Sequence, residues 1–501
     1  MTDLTSTKRA ASNRRALALV AACAALAGGC SVGPDYRRPA VDVPAAFKED
    51  SNWKVAAPDD GAKRGPWWTV FNDPILNQLE EQVETSNQTV AEAVANYEEA
   101  RDVVRADRTG YLPTVSASGS VNRSRSASFT TAGTVQTTTG GTTGTVATSA
   151  PSHLTNTLYT AELQASWEPD IWGKLRRTVE ADVATAQANA ADLALARLSM
   201  QATLAQDYVG LRTTDDKIRL LEDAVAAYRR TLKITNNKYA VGVSARSDII
   251  TAQAQLDSTR AQLISEGVTR AQFEHAIAVL VGKAPSAFTI VRTPGIGLTL
   301  PQIPPQLAST LLERRPDVAA AERLAAAANA RIGVQTAAYY PTLSLSADGG
   351  FNGPQLQNLI SAPFRFWTIG ANAADTLLDW GQRHDLVQSA RAAYEASAAN
   401  YRQTVLTALQ QVEDNLAGLR ILKEEGAVQD TAVAESAQAA QIALNEYNAG
   451  TVDFTTVAAA QVTELSNRET ALGIIQSQLT SSVALIQALG GGWEASELPR
   501  P

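Results

Sequence analysis

Apolar and polar residues follow three different patterns along this chain. From Tyr159 to Glu168 they alternate: Tyr159, Ala161, Leu163, Ala165 and Trp167 stand against Thr160, Glu162, Gln164, Ser166 and Glu168. That period of two predicts a strand with one apolar and one wet face. Thr342 to Phe351 alternates in the same way, with Leu343, Leu345 and Ala347 on one side, and Val115, Ala117 and Val121, then Trp367, Ile369, Ala371 and Ala373, give weaker versions. After Trp172 the period becomes seven: Leu204, Leu211, Ile218, Val225, Leu232 and Tyr239, with Leu221 and Tyr228 three residues on, form a coiled-coil seam. No proline occurs from Gly173 until Pro285, and a helix over 173–239 would be roughly 100 Å long. The third pattern is a short apolar run from Ala16 to Gly29, preceded by Lys8, Arg9, Arg14 and Arg15 and ended by Cys30. It reads as a secretory leader. The alternative, a membrane anchor, needs roughly 20 apolar residues.

The strand and helix patterns each occur twice. Trp172 and Trp380, Gly210 and Gly418, Tyr239 and Tyr447, Gly242 and Gly450, and Gly282 and Gly490 are all 208 residues apart, and Gln253, Ser258 and Arg260 match Gln461, Ser466 and Arg468 at the same offset. Upstream the offset is 228, from Tyr111 and Pro113 to Tyr339 and Pro341, so the first copy carries 20 extra residues between its strands. The excess falls in the Ser/Thr/Gly-rich stretch 124–156, which lacks the apolar residues to form a core and reads as a solvated surface loop. The chain divides into a leader (1–29), an N-terminal segment (30–72), a first repeat (73–281), a linker (282–305), a second repeat (306–490) and a tail (491–501). The first repeat has strands at about 113–126 and 157–170, a long helix at 173–239 and a turn at 240–247. The second has strands at about 341–352 and 364–379, a long helix at 381–447 and a turn at 448–453.

Four strands of about ten residues suit a tilted bilayer crossing, yet four do not close a barrel, and open edges in lipid are forbidden. Transmembrane strands would therefore require oligomerisation, and three copies would give twelve strands. The edge of a periplasmic β-sandwich is the other reading of these strands, and an ordinary bundle the other reading of the helices. A bundle does not explain the strands.

Charge and cysteine usage place the chain. The formal charge is −8; removing a leader with four basic residues and Asp3 leaves roughly −11, which argues against nucleic acid. Cleavage before Cys30 would also remove Cys23, leaving one cysteine and no intramolecular disulfide. The stretch Leu26, Ala27, Gly28, Gly29, Cys30 resembles a bacterial lipoprotein signal, with Ala27 where a larger aliphatic residue is usual. That resemblance implies a covalent lipid on Cys30 and no other cofactor; Ser31 after the cysteine implies transport to the outer membrane.

Further markers follow in order: Cys30, Ser31, Val32, Gly33, Pro34, Asp35 and Tyr36; Trp67, Trp68, Phe71, Asn72, Asp73 and Pro74; then Arg314, Arg315, Pro316 and Asp317. On a duplicated chain these resemble the TolC-like outer-membrane efflux protein family, specifically its lipoprotein branch, over nearly the whole mature chain. The resemblance implies a mixed architecture: a homotrimer forming a twelve-stranded membrane β-barrel and a long α-helical barrel, the latter a coiled-coil tunnel in the periplasm. It implies an outer-membrane location, anchored in lipid, and partnership with a periplasmic adaptor protein and an inner-membrane resistance-nodulation-division pump. Gly242, Val243, Gly450 and Thr451 would then be adaptor-contact tips. The positions of the family's acidic gate, counted from Gly450, hold Thr456 and Ala459. Asp248 matches a gate-linkage position with Tyr447 as its partner, and Asp453 is a further acidic gate candidate.

An enzyme is the competing class. His153, His275 and His384 are the only histidines and have no metal-ligand spacing; no nucleophile elbow occurs, and Gly282–Lys283 lacks the upstream glycine of a phosphate loop. An adhesive surface protein would not need two turn-tipped helical hairpins. The remaining alternative is the exit duct of an ATP-binding-cassette-driven protein secretion system.

Overall fold

The computed structural model describes residues 31–42, 47–49, 66–131, 135–139, 142–146, 149–293, 295, 297–298, 300–301, 314–493 and 495–499. The leader, Cys30 and 302–313 lie outside them. Among the described residues no helix is long and apolar enough to cross a membrane. The described residues form two compact units, one within 1–35, 103–181 and 329–392, the other within 36–102, 182–328 and 393–501.

Seven helices are described: α1 (Pro74–Ser86), α2 (Gln88–Arg108), α3 (Lys174–Ala240), α4 (Arg246–Leu280), α5 (Pro316–Ala337), α6 (Gln382–Ala449) and α7 (Phe454–Ala488). Six strands accompany them: β1 (Thr114–Thr131), β2 (Val135–Thr139), β3 (Thr142–Val146), β4 (Ser149–Trp167), β5 (Thr342–Gly353) and β6 (Arg365–Ala374). The duplication appears in the element bounds. Both ends of α7 lie 208 residues beyond those of α4, and α5 begins 228 residues beyond α2.

The first unit carries an antiparallel sheet in the order β1-β4-β5-β6. Its register places Val121 opposite Tyr159, Ala117 opposite Leu163, Leu163 opposite Gly349, and Gly349 opposite Trp367. Directly opposed residues share a face, so the apolar sides of all four strands merge into one continuous surface. That surface is open: Val115, Leu163, Trp367 and Ile369 are each 59–75 % exposed. On the other face Ser118 donates to Glu162 Oε1 at 3.1 Å. Large apolar side chains left uncovered in one patch mark a contact with something apolar.

Two strand expectations need correction. The stretch 124–156 is not a loop: β1 and β4 continue their ladder to Thr131 and Ser149, and β2 and β3 form a second hairpin beyond it. The Ser/Thr-rich sequence has no apolar periodicity to reveal this, yet threonine favours extended backbone, and an antiparallel ladder satisfies backbone groups without a core. In the second repeat, β6 stops at Ala374 rather than continuing to 379. The Arg383 guanidinium binds the Asp375 and Asp379 carboxylates and the Thr376 carbonyl, while Asp379 accepts the Gly381 and Arg383 N–H groups. These bonds turn the chain into α6.

In the first unit the segment 31–35 is threaded tightly. Val32 N–H donates to the Trp172 carbonyl at 3.2 Å, and Arg177, almost wholly buried, reaches the Val32 and Gly33 carbonyls and Asp35. Gly33 sits at φ +98°, and a Cβ there would lie 2.4 Å from the Gly333 Cα. Gly33→Ala is therefore expected to cost about 2 kcal/mol and to release this segment, seen as faster proteolytic clipping near the N-terminus. In the second unit residues 36–42 and 47–49 follow α6. Arg38 donates to the Tyr401 hydroxyl, the Lys48 and Glu49 amides donate to Glu413, and Arg420 binds Glu49.

The second unit has its main core where α1, α3, α4 and α7 meet, with Phe71, Leu76, Leu204, Tyr208, Leu211, Ile277 and Leu479 fully buried. Asp73 organises the entry to α1. Its Oδ1 accepts the Ile75 and Leu76 N–H groups, an N-cap, and its Oδ2 accepts the Tyr208 hydroxyl at 2.9 Å. The linker folds back on α3 and α4 through ions: Arg270 binds Asp215 and the Ile290 carbonyl, both at 2.7 Å, and the Gly295 N–H donates to Asp216. In the tail, Trp493 and Leu498 pack on Ala191, Ala319 and Ala320.

Candidate functional site

The two turns that join α3 to α4 and α6 to α7 lie in the second unit and are built alike. Gly242 N–H donates to the Tyr239 carbonyl and Val243 N–H to the Lys238 carbonyl, both at 2.9 Å. Gly450 N–H donates to the Tyr447 carbonyl at 3.1 Å and Thr451 N–H to the Glu446 carbonyl at 3.0 Å. Each pair is a Schellman motif, whose left-handed residue favours glycine; Gly242 lies at φ +77° and Gly450 at φ +82°. The motif ends each long helix abruptly and aims the next one back. The same geometry leaves Val243 and Thr451 outside: Val243 is 68 % exposed, and Thr451 is exposed.

Beneath the turns lies Tyr447, only 4 % exposed. Its ring packs edge-on against Phe454 at 5.6 Å within a cluster that includes Ala252, Ala443 and Val457. Its hydroxyl lies 3.3 Å from Thr235 Oγ1 and 3.2 Å from Ser244 Oγ, and Ser244 donates to Asp248 Oδ2 at 2.6 Å. Asp248 Oδ2 also accepts the Ala245 N–H at 3.2 Å at the start of α4. The Lys238 ammonium stands 4.1 Å from the centre of the Tyr447 ring and donates to the Tyr447 and Asn448 carbonyls. A cation thus caps the C-terminal carbonyls of α6, where the helix dipole favours it.

Asp248 and Tyr447 are therefore brought together, but through a bridging Ser244 instead of a direct bond. Asp453 stands apart: it is the exposed N-cap residue of α7 and makes no side-chain capping bond. Thr456 and Ala459 are exposed. Cys30 lies outside the described residues. Sequence reasoning missed Ser244, Thr235 and Lys238. The only available signal was local, a serine four residues before Asp248 and a lysine in the last turn of a helix. No group of three or more metal-ligating side chains occurs among the described residues.

A family model described as outer membrane efflux protein matches residues 79–283 and 307–491, one match for each repeat. The chain belongs to the outer membrane efflux protein family. It is an efflux protein of the outer membrane. The probable efflux pump outer membrane protein TtgC of Pseudomonas putida is 28 % identical over 493 residues, 96 % of each chain. The cation efflux system protein CusC of Escherichia coli is 27 % identical, over 94 % of this chain and 98 % of that one. Among solved structures, the outer-membrane channel OprN superposes with a TM-score of 0.82 at 29 % identity, covering 93 % of this chain and all of the other. These relatives favour efflux over a protein secretion duct.

Proposed function

We propose that this efflux protein acts as a homotrimeric channel that conducts small toxic molecules outward and catalyses no reaction. The observation that carries the proposal is the sheet of the first unit: four strands with one open apolar face and two unpaired edges, β1 and β6. Lipid suits the face and forbids the edges. Joining β6 of one copy to β1 of the next, three times, closes a twelve-stranded barrel. The six helical hairpins of such a trimer surround one periplasmic tunnel. Lipid on Cys30, ahead of the tightly held segment 31–35, adds an anchor in the outer membrane.

The turns at Gly242, Val243, Gly450 and Thr451 are the contacts for a periplasmic adaptor, which couples the channel to an inner-membrane resistance-nodulation-division pump. The chain from Tyr447 through Ser244 to Asp248 is the resting latch of the tunnel, and Asp453 lines its mouth. Hydrogen bonds of this size contribute about 1 kcal/mol each, so a bound adaptor is able to release them.

The test places a photo-crosslinking amino acid at Val243 and at Thr451 in living cells, with mass spectrometry of the captured protein. Capture of a periplasmic adaptor belonging to a resistance-nodulation-division pump is the expected result. A partner from an ATP-driven protein secretion system would change the cargo, and capture of nothing periplasmic at either position would remove the tip assignment.

A further inference from the structure

The two faces of the four-stranded sheet carry opposite charges. All four strands join helices at one end, through Thr114, Trp167, Thr342 and Ala374. On the open apolar face, both edge strands turn to arginine as they leave that end. Val115, Ala117, Gly119 and Val121 are followed by Arg123 and Arg125 on β1, and Ala373, Ala371, Ile369 and Trp367 lead to Arg365 on β6. The same side of β4 reaches Tyr159, opposite Val121. Glu162 and Asp348 lie on the other face. All three arginines are exposed, and among the described residues none of their guanidinium groups has an ion-pair or hydrogen-bond partner.

Register brings these arginines together where copies join. The β1–β4 pair Thr114–Ser166 is the β5–β6 pair Thr342–Ala374 shifted back by the two repeat offsets, 228 and 208. The same offsets applied to the β4–β5 pairs Tyr159–Gly353 and Ala161–Phe351 set Trp367 opposite the partner's Arg125 and Ile369 opposite the partner's Arg123. Arg365, two residues beyond Trp367, is then diagonal to the partner's Arg125, about 7 Å away. We infer that each such cluster of three arginines is a binding site for the phosphate groups of a phosphorylated lipid in the outer leaflet. The inference rests on the barrel proposed above. Positive side chains at the rim of a lipid-facing band sit at headgroup depth, where the lipid's own anions are the available partners. A guanidinium fork matches phosphate oxygens two at a time, and the Trp367 ring offers its face to a cation at the same level. A soluble anion would use the arginines alone. A lipid uses the apolar strip behind them as well, and β1 and β6 present the two in one line.

The full-length protein in detergent, titrated with the bisphosphorylated glycolipid lipid A and read by native mass spectrometry, tests this. The parent is expected to bind the lipid about tenfold more tightly than a variant carrying Arg123→Gln, Arg125→Gln and Arg365→Gln. The parent is also expected to prefer the lipid over its dephosphorylated form by a similar factor, and this comparison decides alone if the variant fails to assemble. Equal affinity in either comparison, within a three-copy assembly, overturns the inference and leaves the barrel intact. Inorganic phosphate that displaces the lipid at equal concentration would make the site one for a free anion and overturn the lipid assignment. A mass other than three copies overturns the barrel itself, and this inference with it.

Discussion

Arg315→Met is expected to destabilise the helical unit by about 3 kcal/mol, because one guanidinium there ties three helices and leaves each with an unmet group when removed. Arg315 is 7 % exposed. Its Nε and Nη2 form a fork on Asp317 at 2.9 and 2.6 Å, at the start of α5. Its Nη1 donates to the Ala488 carbonyl at 3.0 Å, on the last residue of α7, and Nη2 donates to Gln411 of α6 at 2.9 Å. Methionine keeps the length of the apolar stem, so lost packing is a small part of the effect. What remains is a terminal helix carbonyl and a carboxylate without their donor. Lysine has one donor centre instead of a planar fork, so Arg315→Lys should fall between the two. Thermal unfolding of the detergent-solubilised protein followed by helical circular dichroism reads the change, and hydrogen exchange should rise first at the end of α7. A melting curve equal to the parent's would mean that the three contacts do not act as a tie.

Arg315 also shows how far the sequence was readable. The run Arg314–Asp317 stood out as a marker, but its role depends on Ala488 and Gln411, 173 and 96 residues away, and no local pattern carries such distances. Features set by local chemistry were legible. The tip glycines could be read because a Schellman turn demands a positive φ within a few residues. The apolar side of β4 could be read because alternation with period two is a local property. Comparing the two copies gave the rest of the layout, since turns at Gly242 and Gly450 recur at one offset.

The unread parts have physical reasons. The hairpin extension in 124–156 is held by backbone bonds, which leave no mark on the hydrophobic pattern. The bridge at Ser244 depends on where α6 presents Tyr447, and a serine beside an aspartate usually caps a helix start and nothing more.

The second large effect concerns a carboxyl on an apolar stripe. Leu76, Glu80 and Val83 lie on one face of α1 and all are buried; Glu80 is 0 % exposed, and neither of its oxygens has a hydrogen-bond partner among the described residues. Burial pushes the Glu80 carboxyl from 4.5 up to about 9, so the folded chain keeps this proton at neutral pH. Below pH 4.5 both folded and unfolded chains hold it, and the site adds no pH dependence. Between 4.5 and 9 the unfolded chain releases it and the folded chain does not, so stability falls as pH rises, by about 1.4 kcal/mol per unit. Above 9 the folded chain ionises too and the loss levels off. At pH 7 the accumulated loss is on the order of 3 kcal/mol. Glu80→Gln keeps the shape without the ionisation and should remove this slope: comparable to the parent near pH 4.5, the variant becomes the more stable protein as pH rises towards 8. Parallel melting-temperature profiles for the two proteins across that range would show that Glu80 ionises with a partner or with water close by, and that its burial carries no proton.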